Sequence, residues 1–201
     1  FDHDLKEKLV GANAHLTVQA ARGIQDIEPL IRTIAAAKHV AGVAPFVVGQ
    51  AIIRLPDRAF GVVVRGLDVQ REIRVSRLQD YLVLGRLPRE DREAVVGVEL
   101  ARELGVGLGD PLRLISPADG ALHECTVSGI FRSGMYELDV NLVGLTLAKA
   151  QQLFGLPGSV SGVAVRLDRL EQADDVKAVL TAQLGGGYVV KYRVLSIDGH
   201  L

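Results

Sequence analysis

The sequence predicts an α+β domain: a split βαβ, ferredoxin-like lobe interrupted by a smaller β-rich lobe. Three observations predict it. A strand–helix–strand pattern occupies the start of the chain, the same pattern returns at its far end, and a run of short strands with short connections lies between them.

Leu5 to Gly11 is short and polar, and it leads into His15-Leu16-Thr17-Val18-Gln19-Ala20, which alternates apolar and polar residues as a half-buried strand does. Ile24, Ile27, Leu30, Ile31 and Ile34 then recur at three- and four-residue spacing, so an amphipathic helix is expected over Ile24 to Ala37. Asp26 and Glu28 stand near its N-terminal end, where the helix dipole favours acids, and Pro29 is tolerable only if the helix proper begins close to it. Val43 to Ile53 is long and β-branched, with Pro45 marking an edge or a strand start.

In the middle, Phe60 to Asp68 reads as a strand paired with its predecessor through the Pro56-Asp57-Arg58 turn. A short helix near Arg77 to Leu82, a strand at Ala94 to Val98 and a short helix at Glu99 to Leu104 follow. Pro111 to Ile115, Glu124 to Phe131 and Glu137 to Val143 give three more expected strands, and Thr146 to Phe154 a helix. At the far end, Ser161 to Leu167 reads as a strand and Ala173 to Leu184 as a helix burying Val176, Val179, Leu180 and Leu184. Tyr188 to Leu195 reads as the closing strand; Asp168 or its neighbours cap the helix, and Gly185-Gly186-Gly187 stops it. The expected first lobe is residues 12–68 plus 158–196, and the inserted lobe is residues 69–157.

Composition narrows the function. The 201 residues are 48% hydrophobic and only 4% aromatic, with 23 basic against 24 acidic residues, so nothing supplies the basic footprint of a nucleic-acid-binding surface. Cys125 is the single cysteine, which permits neither an intramolecular disulfide nor a cysteine-based zinc site, and reads as a small buried residue of a strand. The longest nearly uncharged run, Val40 to Ile53, is interrupted by Pro45 and Gln50 and is too short for a membrane-spanning helix. Phe1-Asp2-His3-Asp4 has no basic stretch followed by an apolar one, so no signal peptide is read there, and both ends are expected to be cut from something longer.

No constellation carries catalytic chemistry. Gly105-Val106-Gly107-Leu108-Gly109 follows a helix and opens a strand, the reverse of a dinucleotide-binding loop, and reads as a helix stop and strand entry. His3, His15, His39, His123 and His200 lack the spacing that places two imidazoles on one helix face. Ser133-Gly134 and Ser161-Gly162 lie outside any Gly-x-Ser-x-Gly elbow, and Asp168, Asp174 and Asp175 sit where helix-start acids belong. The expectation is no catalytic residue, no metal and no cofactor.

Five stretches in register carry a family resemblance: Val43-Ala44-Pro45-Phe46, Gly49-Gln50, Arg65-Gly66-Leu67-Asp68, Glu99 to Asp110, and Gly129 to Glu137. With Ala150-Gln151-Gln152-Leu153 and Val160-Ser161-Gly162-Val163, they resemble the extracytoplasmic domain of the lipoprotein-releasing ABC transporter permeases, the LolC/LolE family, from Leu5 to about Leu195. The resemblance implies a porter-like lobe interrupted by a Sabre-like lobe, set between a first membrane helix ahead of Phe1 and a second beyond Leu195. Ser196 to Leu201 match no part of the pattern.

It also implies a non-enzymatic domain in the periplasm, on a bacterial inner-membrane protein, working with a second permease subunit and a separate cytoplasmic ATPase. Its cargo would be an acylated lipoprotein, handed to a periplasmic LolA-type carrier. In the LolC-type subunit a protruding hook loop recruits that carrier. Here the corresponding link, Ser116 to His123, is barely a hairpin connection, which points to a LolE-like, cargo-facing subunit or a divergent relative. Pro117, Ala118, Asp119, Gly120 and His123 are therefore candidate partner contacts, and Arg132, Met135 and Tyr136 candidate cargo contacts, since Met adapts and Tyr is amphipathic. The rival readings are a MacB-like efflux or mechanotransmission permease, a regulatory module like the FtsX external loop, whose domain is typically much shorter, and a cytoplasmic enzyme.

Overall fold

The computed structural model describes residues 15–193. The expectations on Leu5–Gly11 and Ser196–Leu201, and the end of the last strand at Leu195, lie outside them.

Strands β1 (Leu16–Gln25), β2 (Val40–Arg54), β9 (Ser159–Leu167) and β10 (Val189–Tyr192) form an antiparallel sheet in the order β10-β1-β9-β2, with helix α1 (Ile27–Ala35) joining the first strand to the second and α6 (Ala173–Leu184) the third to the fourth. This is the ferredoxin-like order expected of a split βαβ. Leu16, Val18, Val163 and Val165 point to one face, where Leu30, Ile31 and Ile34 of α1 and Val176 and Leu180 of α6 cover them.

Local chemistry moves several boundaries. β1 runs through Ile24 to Gln25, and the chain turns at Asp26, held at φ 54°, so α1 begins at Ile27, three residues later than its periodicity suggests. Pro29 then lies in the first turn, where a missing N–H leaves no intrahelical bond unmade. Asp168 does not cap α6: its carboxylate meets His39 Nδ1 at 3.0 Å and its amide donates to the His39 carbonyl at 2.9 Å. Gln172 occupies the cap position without a side-chain bond. Val179, expected in the core, is 55% exposed, because Val176 and Leu180 already fill the inward stripe. The last strand is shorter than expected, Val189–Tyr192, with the Tyr192 hydroxyl hydrogen-bonded to Asp174.

The upper half of β2 leaves this sheet and enters a second structure. It pairs with β3 (Ala59–Leu67) across the Pro56–Arg58 turn, closed by the Leu55 amide donating to the Arg58 carbonyl at 2.9 Å. β3 pairs with β8 (Leu142–Thr146), β8 with β5 (Glu93–Gly97), β5 with β7 (Leu122–Phe131), β7 with β6 (Pro111–Ile115), and β6 returns to β2 at Ile52 and Ile53. The ring is closed: six strands make a small barrel. Each sends two side chains inward, Ala51 and Ile53, Val62 and Val64, Val143 and Leu145, Ala94 and Val96, Cys125 and Val127, Leu112 and Leu114. Leu100 and Leu104 of α3 (Val98–Leu104) and Leu153 of α5 (Leu147–Phe154) complete this core. Pro45 is accommodated because β3 pairing begins only at Phe46, so the proline borders a free edge on that side.

One expected strand is a helix. Glu137 to Val143 alternates like a strand, but Tyr136–Asn141 forms helix α4, and β8 starts at Leu142. The Asp139 carboxylate, 4% exposed, turns back to collect the Ser133 amide, the Ser133 hydroxyl and the Gly134 amide, which coils the segment locally. Two further pieces escape the periodicity because each is only four residues long: helix α2 (Val69–Glu72), and edge strand β4 (Leu82–Gly85), which pairs with β7 after the 3₁₀ turn Leu78–Tyr81.

Candidate functional site

The two segments that carry the sequence-predicted contact residues lie at opposite ends of β7. Nine residue steps from Leu122 to Phe131 separate them by about 30 Å. They are two surfaces, not one.

The first is the β6–β7 connection. Ser116, 2% exposed, anchors it: its Oγ donates to the Leu153 carbonyl at 2.6 Å and accepts the Ala118 amide at 3.1 Å. The Ser116 amide reaches the Ala121 carbonyl and the Gly120 amide reaches the Ser116 carbonyl, both at 2.9 Å, with Gly120 at φ 74°. Asp119 accepts the Ala121 amide at 2.9 Å, and that bond, followed by the Ser116 hydroxyl, holds its carboxyl below the usual range. Pro117, Ala118, Asp119 and Gly120 are exposed. His123 is not part of the loop; it belongs to β7, half-buried, with Nδ1 3.2 Å from Lys149 Nζ of α5. The connection is thus pinned to α5 through Leu153 and does not project as a hook.

At its base lies an apolar row invisible to the sequence reading. Ile52, Ile115 and Leu122 are cross-strand partners on the outside of the barrel, with Ile52 45% and Leu122 52% exposed, bordered by the Arg113–Glu124 pair at 3.5 Å. Only the register of β6 between β2 and β7 assembles it, and no local pattern encodes that register.

The second surface is Arg132–Tyr136. Its backbone is fixed from within by Asp139, which accepts the Ser133 amide at 2.8 Å and hydroxyl at 2.6 Å and the Gly134 amide at 3.2 Å, while Gly134 takes φ 85°. The Arg132 amide donates to the Tyr81 carbonyl at 2.8 Å and ties the segment to the start of β4. Met135 is half-buried and Tyr136 65% exposed. β4 leaves Val83 and Leu84 exposed, and the exposed Leu108 lies against Gly85 at its end.

Neither surface brings a nucleophile, base and oxyanion donors together. Among the described residues no group of three or more His, Cys, Asp or Glu gathers as a metal site, and no helix is long and apolar enough to cross a membrane. Cys125 is sealed in the barrel, where burial pushes its thiol pKa up and away from nucleophilic use. Gly105 ends α3 in the left-handed region at φ 67° and Gly109 enters β6 at φ 85°, the helix stop and strand entry that the sequence suggests. What the arrangement offers is surface for binding.

A profile of the MacB-like periplasmic core domain matches residues 3–183. The chain belongs to that family. It is 29% identical over 202 residues to the lipoprotein-releasing system transmembrane protein LolC of Xylella fastidiosa, covering 94% of this chain and 48% of that one. It is 25% identical to LolC of Neisseria meningitidis over 193 residues, with 90% and 46% covered. Against LolE of Haemophilus influenzae it is 25% identical over 184 residues, with 84% and 44% covered. The chain spans about half the length of these relatives. Among solved structures, the fold is shared with the extracellular domain of the ABC-type transporter YknZ from Gram-positive bacteria at a TM-score of 0.64 and 15% identity, covering 89% of this chain and 99% of that one. It is shared equally with the periplasmic region of MacB from Actinobacillus actinomycetemcomitans, at a TM-score of 0.64 and 13% identity, covering 92% and 91%. The resemblance to LolC/LolE read from the motifs agrees with these relatives, and the chain itself is a core domain of the MacB-like periplasmic type.

Proposed function

We propose that this domain belongs to an ABC transporter permease that releases lipoproteins from the inner membrane, and that it guides the acylated cargo towards a periplasmic carrier. The observation that carries this reading is the likeness to LolC and LolE proteins over 84 to 94% of the chain, at 25 to 29% identity, whereas the efflux-type MacB shares the fold at 13%. ATP hydrolysis belongs to a separate cytoplasmic subunit, and a second permease subunit completes the membrane assembly.

The presence of two cores supports a two-lobe reading of the domain. The lobe built on α1 and α6, residues 12–68 with 158–196, is on this reading the porter-like part, and residues 69–157 the Sabre-like part, with β2 giving side chains to both cores and β3 packing in the barrel. Cargo handling needs apolar shelter, because each lipid CH₂ left in water costs about 0.8 kcal/mol. The Met135–Tyr136 surface, with exposed Val83 and Leu84 on β4, which its Arg132 amide joins through Tyr81, offers apolar side chains for this.

The pinned β6–β7 connection supports a LolE-like role, facing cargo rather than recruiting the carrier. Photo-crosslinkers at Met135 and Tyr136 of the full-length permease are expected to capture lipoprotein; absence of any adduct during active release refutes the cargo surface. A LolA-type carrier is expected not to be retained stoichiometrically by the isolated domain, and retention that depends on Pro117 to Gly120 would overturn the LolE-like assignment.

A further inference from the structure

Three ionic side chains gather on the sheet face opposite α1 and α6 with polar atoms that no described residue hydrogen-bonds. Arg65 of β3 stacks its guanidinium 4.2 Å from the Phe46 ring centroid, on the face where Phe46, Ala44, Ala164 and Val75 cluster. Glu72, at the end of α2, is 2% exposed. Arg193 follows β10 and extends its ladder, its amide donating to the His15 carbonyl at 3.0 Å. Arg65 Nε and Nη2, Glu72 Oε2 and Arg193 Nη1 are all shielded from solvent and have no hydrogen-bond partner among the described residues. The three groups feel one another electrostatically, yet among the described residues none closes an ion pair with another. Beside Phe46 the same face carries small side chains: Ala44 and Ala164, cross-strand partners with no exposed surface, continued by Thr17 opposite Ala164.

Among the described residues, two guanidinium groups and one carboxylate meet in a shielded place with unsatisfied polar atoms, a costly arrangement unless a further group satisfies them. Burial pulls Arg193 down to about 9, which still leaves it protonated at neutral pH. Guanidinium forks match tetrahedral oxyanions, and a carboxylate in the same site demands a donor on the same ligand.

We propose that Arg65 and Arg193 bind a phosphate group, while Glu72 takes an ammonium or hydroxyl carried beside that phosphate on the same ligand. This site is separate from both surfaces described above and does not depend on the lipoprotein reading. The chemistry is common to a free phosphate compound and to a zwitterionic lipid headgroup.

The 201-residue chain is titrated calorimetrically at constant ionic strength with inorganic phosphate, with phosphoethanolamine, and with chloride as the control; thermal unfolding is followed in parallel. Saturable phosphate binding with a raised Tm is expected, with phosphoethanolamine tighter than phosphate. Arg65→Gln and Arg193→Gln should each weaken binding about tenfold or more, and Arg65→Lys and Arg193→Lys, which keep the charge and lose the fork, should also weaken it. Glu72→Gln should keep phosphate binding and lose the preference for phosphoethanolamine. Vesicles containing phosphatidylethanolamine, displaced by soluble phosphoethanolamine, identify a headgroup as the source; binding of the soluble compounds without vesicle binding identifies a free one. Absence of saturable phosphate binding by the native chain overturns the proposal, as do folded Arg65 and Arg193 variants that bind phosphate as the native chain does.

Discussion

Glu93 opens β5 and is the most strongly perturbed carboxylate of the barrel, so Glu93→Gln is the sharpest test of how that end is held. Arg86 grips it with two nitrogens, Nη1 at 2.8 Å from Oε1 and Nη2 at 2.6 Å from Oε2, and the Arg89 and Glu90 amides add bonds at 2.9 and 3.1 Å. Arg86 is the largest influence, and together these partners bring the carboxyl from 4.5 to about 2. A shift of that size is worth at most roughly 3 kcal/mol, and solvent screening at Arg86, 44% exposed, reduces it to about 2 kcal/mol. The folded value lies below the unfolded one, so the contribution is complete above pH 4.5 and is lost as pH falls towards 2. Urea unfolding of the native chain and of Glu93→Gln, at pH 7 and again near pH 3, reads both features. The expected gap is about 2 kcal/mol at pH 7 and less than half of that near pH 3. A gap unchanged between the two pH values, or one below about 0.5 kcal/mol at pH 7, refutes the assignment of this stability to the Glu93 charge.

Gly97→Ala is expected to be severely destabilising or to displace α4, because an added Cβ would lie 2.1 Å from the Asp139 carbonyl oxygen; a Tm within a few degrees of the native value would contradict that packing. His15 accepts the Leu167 amide on Nδ1 at 2.9 Å, and burial, then Arg166, lowers its pKa, so stability should be full above pH 6.5 and decline below it, a slope that His15→Gln should remove in unfolding measured from pH 5 to 8. Cys125, 1% exposed, should resist iodoacetamide in the native state and react completely in urea; rapid native-state alkylation would show that the barrel opens readily.

The parts of the fold legible in the sequence are those with a strong local period. The α6 helix is recovered at its full bounds, and α5 begins after Thr146, whose hydroxyl accepts the Lys149 amide at 3.2 Å as a helix cap should. The barrel is another matter. Its strands are mostly visible one by one, but closure depends on β6 finding β2 at Ile52 and Ile53, a pairing across some sixty residues that no periodicity reports. The same limit hid the Ile52–Ile115–Leu122 row and the meeting of Arg65, Glu72 and Arg193, whose residues are ordinary charges until the chain folds them together. The Asp139 network misled the strand assignment because a carboxylate capturing nearby amides overrides an alternating pattern over so short a stretch.

β2 has a mechanical meaning beyond its place in two cores. Its lower half is sewn to β9 and its upper half to β3 and β6, so a single backbone of 15 residues runs, without a linker, from the sheet that carries the chain's outer strands into the barrel wall. A tug along that strand loads the antiparallel ladders in shear, with many hydrogen bonds resisting at once, rather than unzipping them one after another. Such a strand behaves as a stiff push-rod: displacement at one end arrives at the other with little loss, and the compliance of the domain must reside in the segments beside β2 and not in β2 itself.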